Sequence, residues 1–451
     1  MIPNSVSALK ARHRLKPPDL PPEIWLIIFD HATYVPGTLI PEIYEYSGTL
    51  GQCFSRYHRP LIRRALVTKR SLVRVCRQWW LLAIPFLYKS IFIGRGRCLS
   101  SLAITLALSV GGKGVLPSTR PLGSYTERLD IAMRDNSRPN SDEDLDLLAE
   151  VIRHLQNLAV VSVDITASRY ISLDMPDIVM DALACAGSSL KIIDWAAPCL
   201  LPRYRSLQNL VTTTQLHILR CPFQLRGPTD PIDNCVLSSC TTLAITSDHM
   251  HQMSSTQLPA LRELIYPPPM LRLGQPSNPF LERHGKKLTA VHLSWSTSIG
   301  FRDQINLLAT HCPNLRRLTI ALTFWELLDA PIIKLVPIEF LCLYCRQNQS
   351  STNAYKITFA SLARLKDVMP TLRIIRFTRY LNVKELLMNH RKALLPALEL
   401  LSGSNVRLED HKGRLLSGIV ELSIHKDLAH LFLLRLFNRP ACVKCGPVMR
   451  S

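Results

Sequence analysis
Four stretches of the chain begin on leucine and continue in one frame, Leu-x-x-apolar-x-apolar: LRELIY from Leu261, LTAVHL from Leu288, LRRLTI from Leu315 and LRIIRF from Leu372. Leu261, Leu288 and Leu315 follow one another at 27 residues, and Leu398 lies 26 beyond Leu372. The 57 residues from Leu315 to Leu372 leave room for one more copy, supplied by IEFLCLY around Leu341. Weaker copies, LAVVSV from Leu158 and LKIIDW from Leu190, carry the series toward the N-terminus. A helical pattern precedes the frame. In FRDQINLLATHCPNLRRLTIAL, Ile305, Leu308 and Ala309 repeat at the helical period, Cys312-Pro313 stops the helix, and Leu315, Leu318 and Ile320 begin a strand. A unit of one helix and one strand cannot bury its own apolar face, so such units must stack into a continuous core.

The period and the frame resemble the leucine-rich repeat, which implies an irregular α/β solenoid over residues 126–425 with its strands on the concave side. Where that family carries Asn or Cys after the strand, this chain has Ser296, Thr323 and Tyr380, so its loop ladder is expected to be irregular. The alternative is an ordinary α/β domain of alternating helices and strands. In NSDEDLDLLAEVIRHLQNL, Ser141 reads as an N-cap with Asp142, Glu143 and Asp144 in the first turn, where the helix dipole favours anions. That acidic cluster is a helix start rather than a metal site.

Composition narrows the class. The chain has 451 residues, 47% hydrophobic, enough for a large core. Its 31 prolines against 18 glycines suit many short, rigid connections. SLAITLALSV is too short to span a bilayer, and no secretory signal is visible, so no membrane role is expected. Thirteen cysteines, odd in number and irregularly spaced, point to a reducing compartment, cytoplasmic or nuclear. The formal charge of +20 is uneven: residues 1–93 hold 13 Lys/Arg against 5 Asp/Glu, residues 281–392 hold 17 against 7, and residues 126–166 reverse to 4 against 9. Such basic surface attracts anionic partners without choosing among them.

Near the N-terminus, DLPPEIWLIIFDHAT is apolar at almost every position from Ile24 to Phe29. In SLVRVCRQWWLLAIPFLYKSIFI, Leu72, Val75, Cys76, Trp79 and Leu82–Ala83 fall at helical steps, Pro85 is expected to end that helix, and FLYKSIFI reads as a strand-like tail. Together the two segments resemble the F-box, a short three-helix module: Leu20-Pro21, Ile28-Phe29, Leu72, Val75-Cys76, Trp79 and Leu87-Tyr88 occupy the places of its pattern. F-box-like proteins of fungal type are similar in carrying an insert, here about 34–68, then irregular leucine-rich repeats and an LED sequence like Leu408-Glu409-Asp410. The resemblance implies that Leu20, Pro21, Ile24, Ile28, Phe29, Leu72, Val75 and Cys76 bind a Skp-family adaptor of cullin–RING ubiquitin ligases. Trp79, Leu82, Leu87 and Tyr88 would form the module's core. Ile24–Phe29 would then be apolar on two sides, one toward Trp79 and one toward the partner.

Other constellations read more plainly. Cys342 and Cys345 lie in a strand, where residues three apart point to opposite faces. Cys442 and Cys445 lack the second pair that a structural zinc site needs. The basic run SRYHRPLIRRALVTKRSLVR is expected to be solvated surface of the insert and second helix, without a nucleic-acid module. There is no phosphate loop, nucleophile elbow or His-Glu-x-x-His.

The expected organisation is therefore a basic tail (1–16), an F-box-like domain (17–93), a linker or first repeat cap (94–125), the solenoid (126–425) and a C-terminal tail (426–451). The expected function is a non-enzymatic, cofactor-free substrate receptor of an SCF-type ligase. The alternative is a basic repeat scaffold or nucleic-acid-binding protein without a ligase role. On alternating strands His292, Arg317, Thr319, Phe340, Tyr344 and Arg376 would face the concave side and bind an acidic or phosphorylated target.

Overall fold
The computed structural model describes residues 20–35, 53–110, 120–133, 141–165, 173–195, 200–220, 236–245, 250, 252–266, 278–295, 301–329, 337–347, 349–403 and 406–420. Among the described residues three helices come first: α1 (Pro22–Thr33), α2 (Cys53–Leu72) and α3 (Arg77–Lys89). Short strands then recur: β1 (Ser90–Ile93), β2 (Arg128–Ile131), β3 (Val160–Val163), β4 (Leu173–Asp174), β5 (Ile192–Trp195), β6 (Leu200–Leu201), β7 (Ile218–Arg220), β8 (Thr242–Ala244), β9 (Glu263–Tyr266), β10 (Ala290–Trp295), β11 (Arg317–Leu322), β12 (Phe340–Cys345), β13 (Ile374–Phe377) and β14 (Arg407–Glu409). Twelve of them form one parallel sheet in the order β1-β2-β3-β5-β7-β8-β9-β10-β11-β12-β13-β14, while β4 and β6 pair separately. The order never reverses, so the sheet has no switch point of the kind that defines a doubly wound α/β domain. It is a solenoid of leucine-rich-repeat type.

The fourth position of the leucine frame explains the stacking. Leu264, Val291, Leu318, Leu341 and Ile375 are register partners on successive strands, and all are buried. The ladder continues back through Leu243, Leu219, Ile193, Val161 and Leu129 to Ile91. Against this face pack the helices that follow β1: α4 (Leu99–Val110), α5 (Ser141–Arg153), α6 (Asp177–Cys185), α7 (Tyr204–Thr213), α8 (Pro279–His284), α9 (Phe301–His311), α10 (Thr352–Val368), α11 (Tyr380–Asn389) and α12 (Arg391–Ser402). The other face, turned away from these helices, is the inner face of the solenoid. No described helix is long and apolar enough to cross a membrane.

Repeat spacing is regular only in the middle. Glu263, Ala290 and Arg317 are register partners 27 residues apart. Thr242 and Glu263, paired across β8 and β9, are 21 apart, and Ser90 and Arg128, paired across β1 and β2, are 38 apart. Strands β2, β7 and β8 carry no leucine frame strong enough to have been expected. Leu398 does not begin a repeat: it lies in α12, and the strand after β13 is β14, where Glu409 pairs with Arg376. The helix stripe expected across Leu72 to Leu82 is also broken. Residues 73–75 form a turn, Cys76 caps α3, and Pro85 lies inside α3, which runs on to Lys89. Only SIFI is extended, and it forms β1 of the large sheet. The segment 94–125 supplies α4, the first helix packed on that sheet.

Candidate docking interface
Helix α1 starts where proline permits it. Pro21 holds an extended backbone as N-cap, Pro22 stands in the first turn where a missing N–H costs nothing, and the Pro21 carbonyl accepts from the N–H groups of Ile24 and Trp25. Trp25 and Phe29, one turn apart, point inward. Trp25 lies 4.6 Å from Trp79 between ring centroids, Phe29 lies 4.9 Å from Trp79, and Phe86 meets Phe29 edge-on at 6.4 Å. Such tilted and edge-on pairs add specific attraction to their burial. Ala83 closes this cluster, with Leu20, Leu72, Val73 and Leu82 packed around it.

The remaining isoleucines of α1 are exposed. Ile24 is 42% exposed, Ile27 55% and Ile28 41%. Spaced three and four apart, they form one stripe beside Pro21, which is exposed as well. Val75, in the turn before α3, and Leu81 are also exposed. Of the residues expected to bind an adaptor, Pro21, Ile24, Ile28, Val75 and Cys76 are therefore at the surface, and Leu20 and Leu72 are half-buried. Phe29 is not available: it is fully buried in the aromatic cluster. Cys76 has a structural task, its Sγ accepting the Trp79 N–H at 3.5 Å. Among the expected core residues, Trp79 and Leu82 belong to the aromatic cluster, Tyr88 packs instead against the solenoid core, and Leu87 is half-buried. Burial raises the Tyr88 phenol above its ordinary pKa. Ala83 continues the expected apolar stripe into the cluster, whereas Trp25 and Phe86 are not among the expected core residues, although the four-residue step from Trp25 to Phe29 is a usable signal.

The basic run is solvated at Arg63, Arg64, Arg70 and Arg74, but not throughout. Arg59 and Lys69 of α2 are buried, and Ile62 and Ala65 between them face the same way. Burial, with Lys89 nearby, lowers the Lys69 pKa to about 8, although Asp30 draws it back up.

On the inner face of the solenoid the strands bring five of the six expected target-binding residues into two rows, with Tyr344 in a third beside Ala321. Arg317 pairs in register with Phe340, and its guanidinium lies 5.5 Å from the Phe340 ring. The next row runs His292, Thr319, Cys342, Arg376 and Glu409. His292 and Thr319 are buried, so they offer no surface to a target: His292 is held by Glu263, whose carboxylate also accepts from Thr242 at 2.9 Å. Arg376 is half-exposed and donates twice to Glu409, at 2.9 and 2.6 Å, so its charge is already matched. Phe340 and Tyr344 are half-exposed on one face of β12. Arg379 lies 5.5 Å from the Tyr344 ring and donates to the carbonyls of Cys345 and Arg346 at 2.7 Å each. Cys342 and Cys345 point to opposite faces of β12, and Cys442 and Cys445 lie outside the described residues. No cluster among the described residues could hold a metal ion.

No family model matches this chain, and no curated protein matches it. Among solved structures it is similar to one titled "Crystal structure of Rad7 and Elc1 complex in yeast", at 11% sequence identity, covering 72% of this chain and 92% of that chain. The TM-score is 0.28, too low to transfer a partner or a function.

Proposed function
We propose that this protein is the non-catalytic substrate receptor of a cullin–RING ubiquitin ligase, its α1–α3 module docking a Skp-family adaptor and its solenoid holding the target. The observation that carries this reading is the two-sided apolar character of α1. One side, Trp25 and Phe29, is the module's core, and the other, Ile24, Ile27 and Ile28, is exposed in the free chain. A stripe of this kind at helical spacing matches a helix-in-groove interface. The function needs no reacting groups. Holding a target near a charged conjugating enzyme raises effective concentration, which is a rate enhancement by proximity. The half-open inner face of β11–β14, with Arg317 over Phe340 and Arg379 over Tyr344, is the surface we assign to the target, with acidic character expected of it.

The test is co-expression with a Skp-family adaptor. The parent chain should copurify with it at equal stoichiometry, and Ile24→Asp combined with Ile28→Asp should weaken binding at least hundredfold, because a charge in a dry interface has no partner. Both positions are exposed in the free chain, so the variant should melt like the parent. Undiminished adaptor binding by a folded double variant would reject the reading. Nucleic acid retained through high salt, with no adaptor bound, would favour the basic scaffold instead.

A further inference from the structure
Helix α2, carried by the insert between α1 and α3, has a buried stripe that outruns the docking module. Arg59, Ile62, Ala65 and Lys69 repeat at helical spacing and are all buried. The Arg59 end meets the solenoid. Its guanidinium ion-pairs with Asp164, 105 residues away in the segment after β3, and both side chains are buried. One turn further along, the guanidinium of Arg63 lies 4.7 Å over the Phe92 ring. Phe92 belongs to β1, and its neighbours Ile91 and Ile93 point into the helix-covered core, so Phe92 is on the inner face. It is in register with Asp130, and through it with Ser162 and Asp194, all three buried. Burial on the inner face is not confined to these strands, since Arg220, His292 and Thr319 are buried too, so the contacts of Arg59 and Arg63 are what place α2 there.

We propose that α2 is an intrachain strut: it lies over the inner face of β1–β3 and, through Arg59–Asp164 and Arg63–Phe92, locks the docking module and the solenoid into one body. A buried ion pair suits this role because neither charge can leave the other without being desolvated alone, which discourages intermediate positions. Asp194, in the same row, is buried with both carboxylate oxygens lacking hydrogen-bond partners, and burial raises its pKa although Arg220, Arg128 and Arg59 draw it back down. The inference stands apart from the ligase reading, because it concerns how the chain is held and not what it binds. If the reading holds as well, the strut fixes the distance from adaptor to target.

Hydrogen–deuterium exchange of the full-length chain tests it, comparing the parent with Asp164→Asn and with Arg63→Ala. Asp164→Asn weakens the anchor from the solenoid side, and Arg63 is exposed, so its loss leaves the core of either unit intact. Both variants should speed exchange across 59–66, at least tenfold in Asp164→Asn, while 77–89 keeps the parental rate. Parental rates at 59–66 in the folded variants would overturn the strut. Equal acceleration at 22–33 and 77–89 would overturn it too, because α2 would then be an internal part of the module alone. If Asp164→Asn does not fold, Arg63→Ala decides by the same criteria. Adaptor affinity, measured on the same samples, bears only on the ligase reading.

Discussion

A lysine inside a small helical unit is the clearest single-residue cost in this protein. Lys69 is buried between charges of both signs, and burial, joined by Lys89, brings its pKa from 10.5 to about 8. The folded chain therefore binds this proton less tightly than the unfolded chain. Between pH 8 and 10.5 the unfolded chain carries more of it, so this residue makes stability rise with pH, and below pH 8 its full cost is present. Lys69→Met should raise the melting temperature at pH 7, and the gain should shrink as pH approaches 10.5. Calorimetry at the two pH values checks this, and an equal gain at both would contradict it. The same scale shows what a motif can mislead about. Phe29 and Ile28 are adjacent in the F-box pattern, yet helical geometry sends one into the aromatic cluster and leaves the other at the surface.

Elements meet closely where each repeat turns a corner. A Cβ added to Gly285, in the turn between α8 and β10, would lie 2.5 Å from the His311 carbonyl oxygen at the end of α9. At Gly123 the same addition would meet the His154 carbonyl oxygen at 2.1 Å. These are backbone contacts, which cannot rotate away as a side chain can. Gly285→Ala is expected to destabilise the solenoid by about 1–3 kcal/mol, the usual cost of overpacking. Urea denaturation of the full chain would measure it, and an unchanged midpoint would mean that the corner relaxes. Helix α3 makes a related point about breakers. Pro85 lies inside it and removes one backbone hydrogen bond, yet the helix runs on to Lys89, with Ala83 buried in the aromatic cluster and Ile84 in the solenoid core.

For the whole molecule, the consequence is that the three-helix segment and the solenoid share structure across residue 93. Strand β1 is the first strand of the large sheet, α2 reaches the segment after β3, and Tyr88 packs on the solenoid core. A chain beginning at Gly94 would uncover the edge of β2, a row of unpaired backbone groups ready to pair with another copy. That fragment is expected to aggregate or to melt well below the full chain, as read by size-exclusion chromatography and calorimetry. A monomeric fragment with the parental melting temperature would show that the N-terminal segment is an independent domain.

The repeat architecture was legible in the amino-acid sequence because a period of 27 and a Leu-x-x-apolar-x-apolar frame are local patterns, and stacking is the only way such units can bury their faces. The apolar surplus of α1 was legible for the same reason: more large apolar residues stand there than one helix face can bury. What the sequence could not convey was partnership over long separations. Nothing local in SRYHRPLIRR tells that Arg59 meets Asp164, nor in LTAVHL that His292 is consumed by Glu263. Strand alternation placed His292, Thr319 and Arg376 on the inner face correctly, but how exposed they are depends on neighbouring strands and on whatever lies across them. Pattern along the chain determines which face a side chain occupies, and only tertiary structure decides whether that face is open, because burial is set by the neighbours in space rather than in sequence.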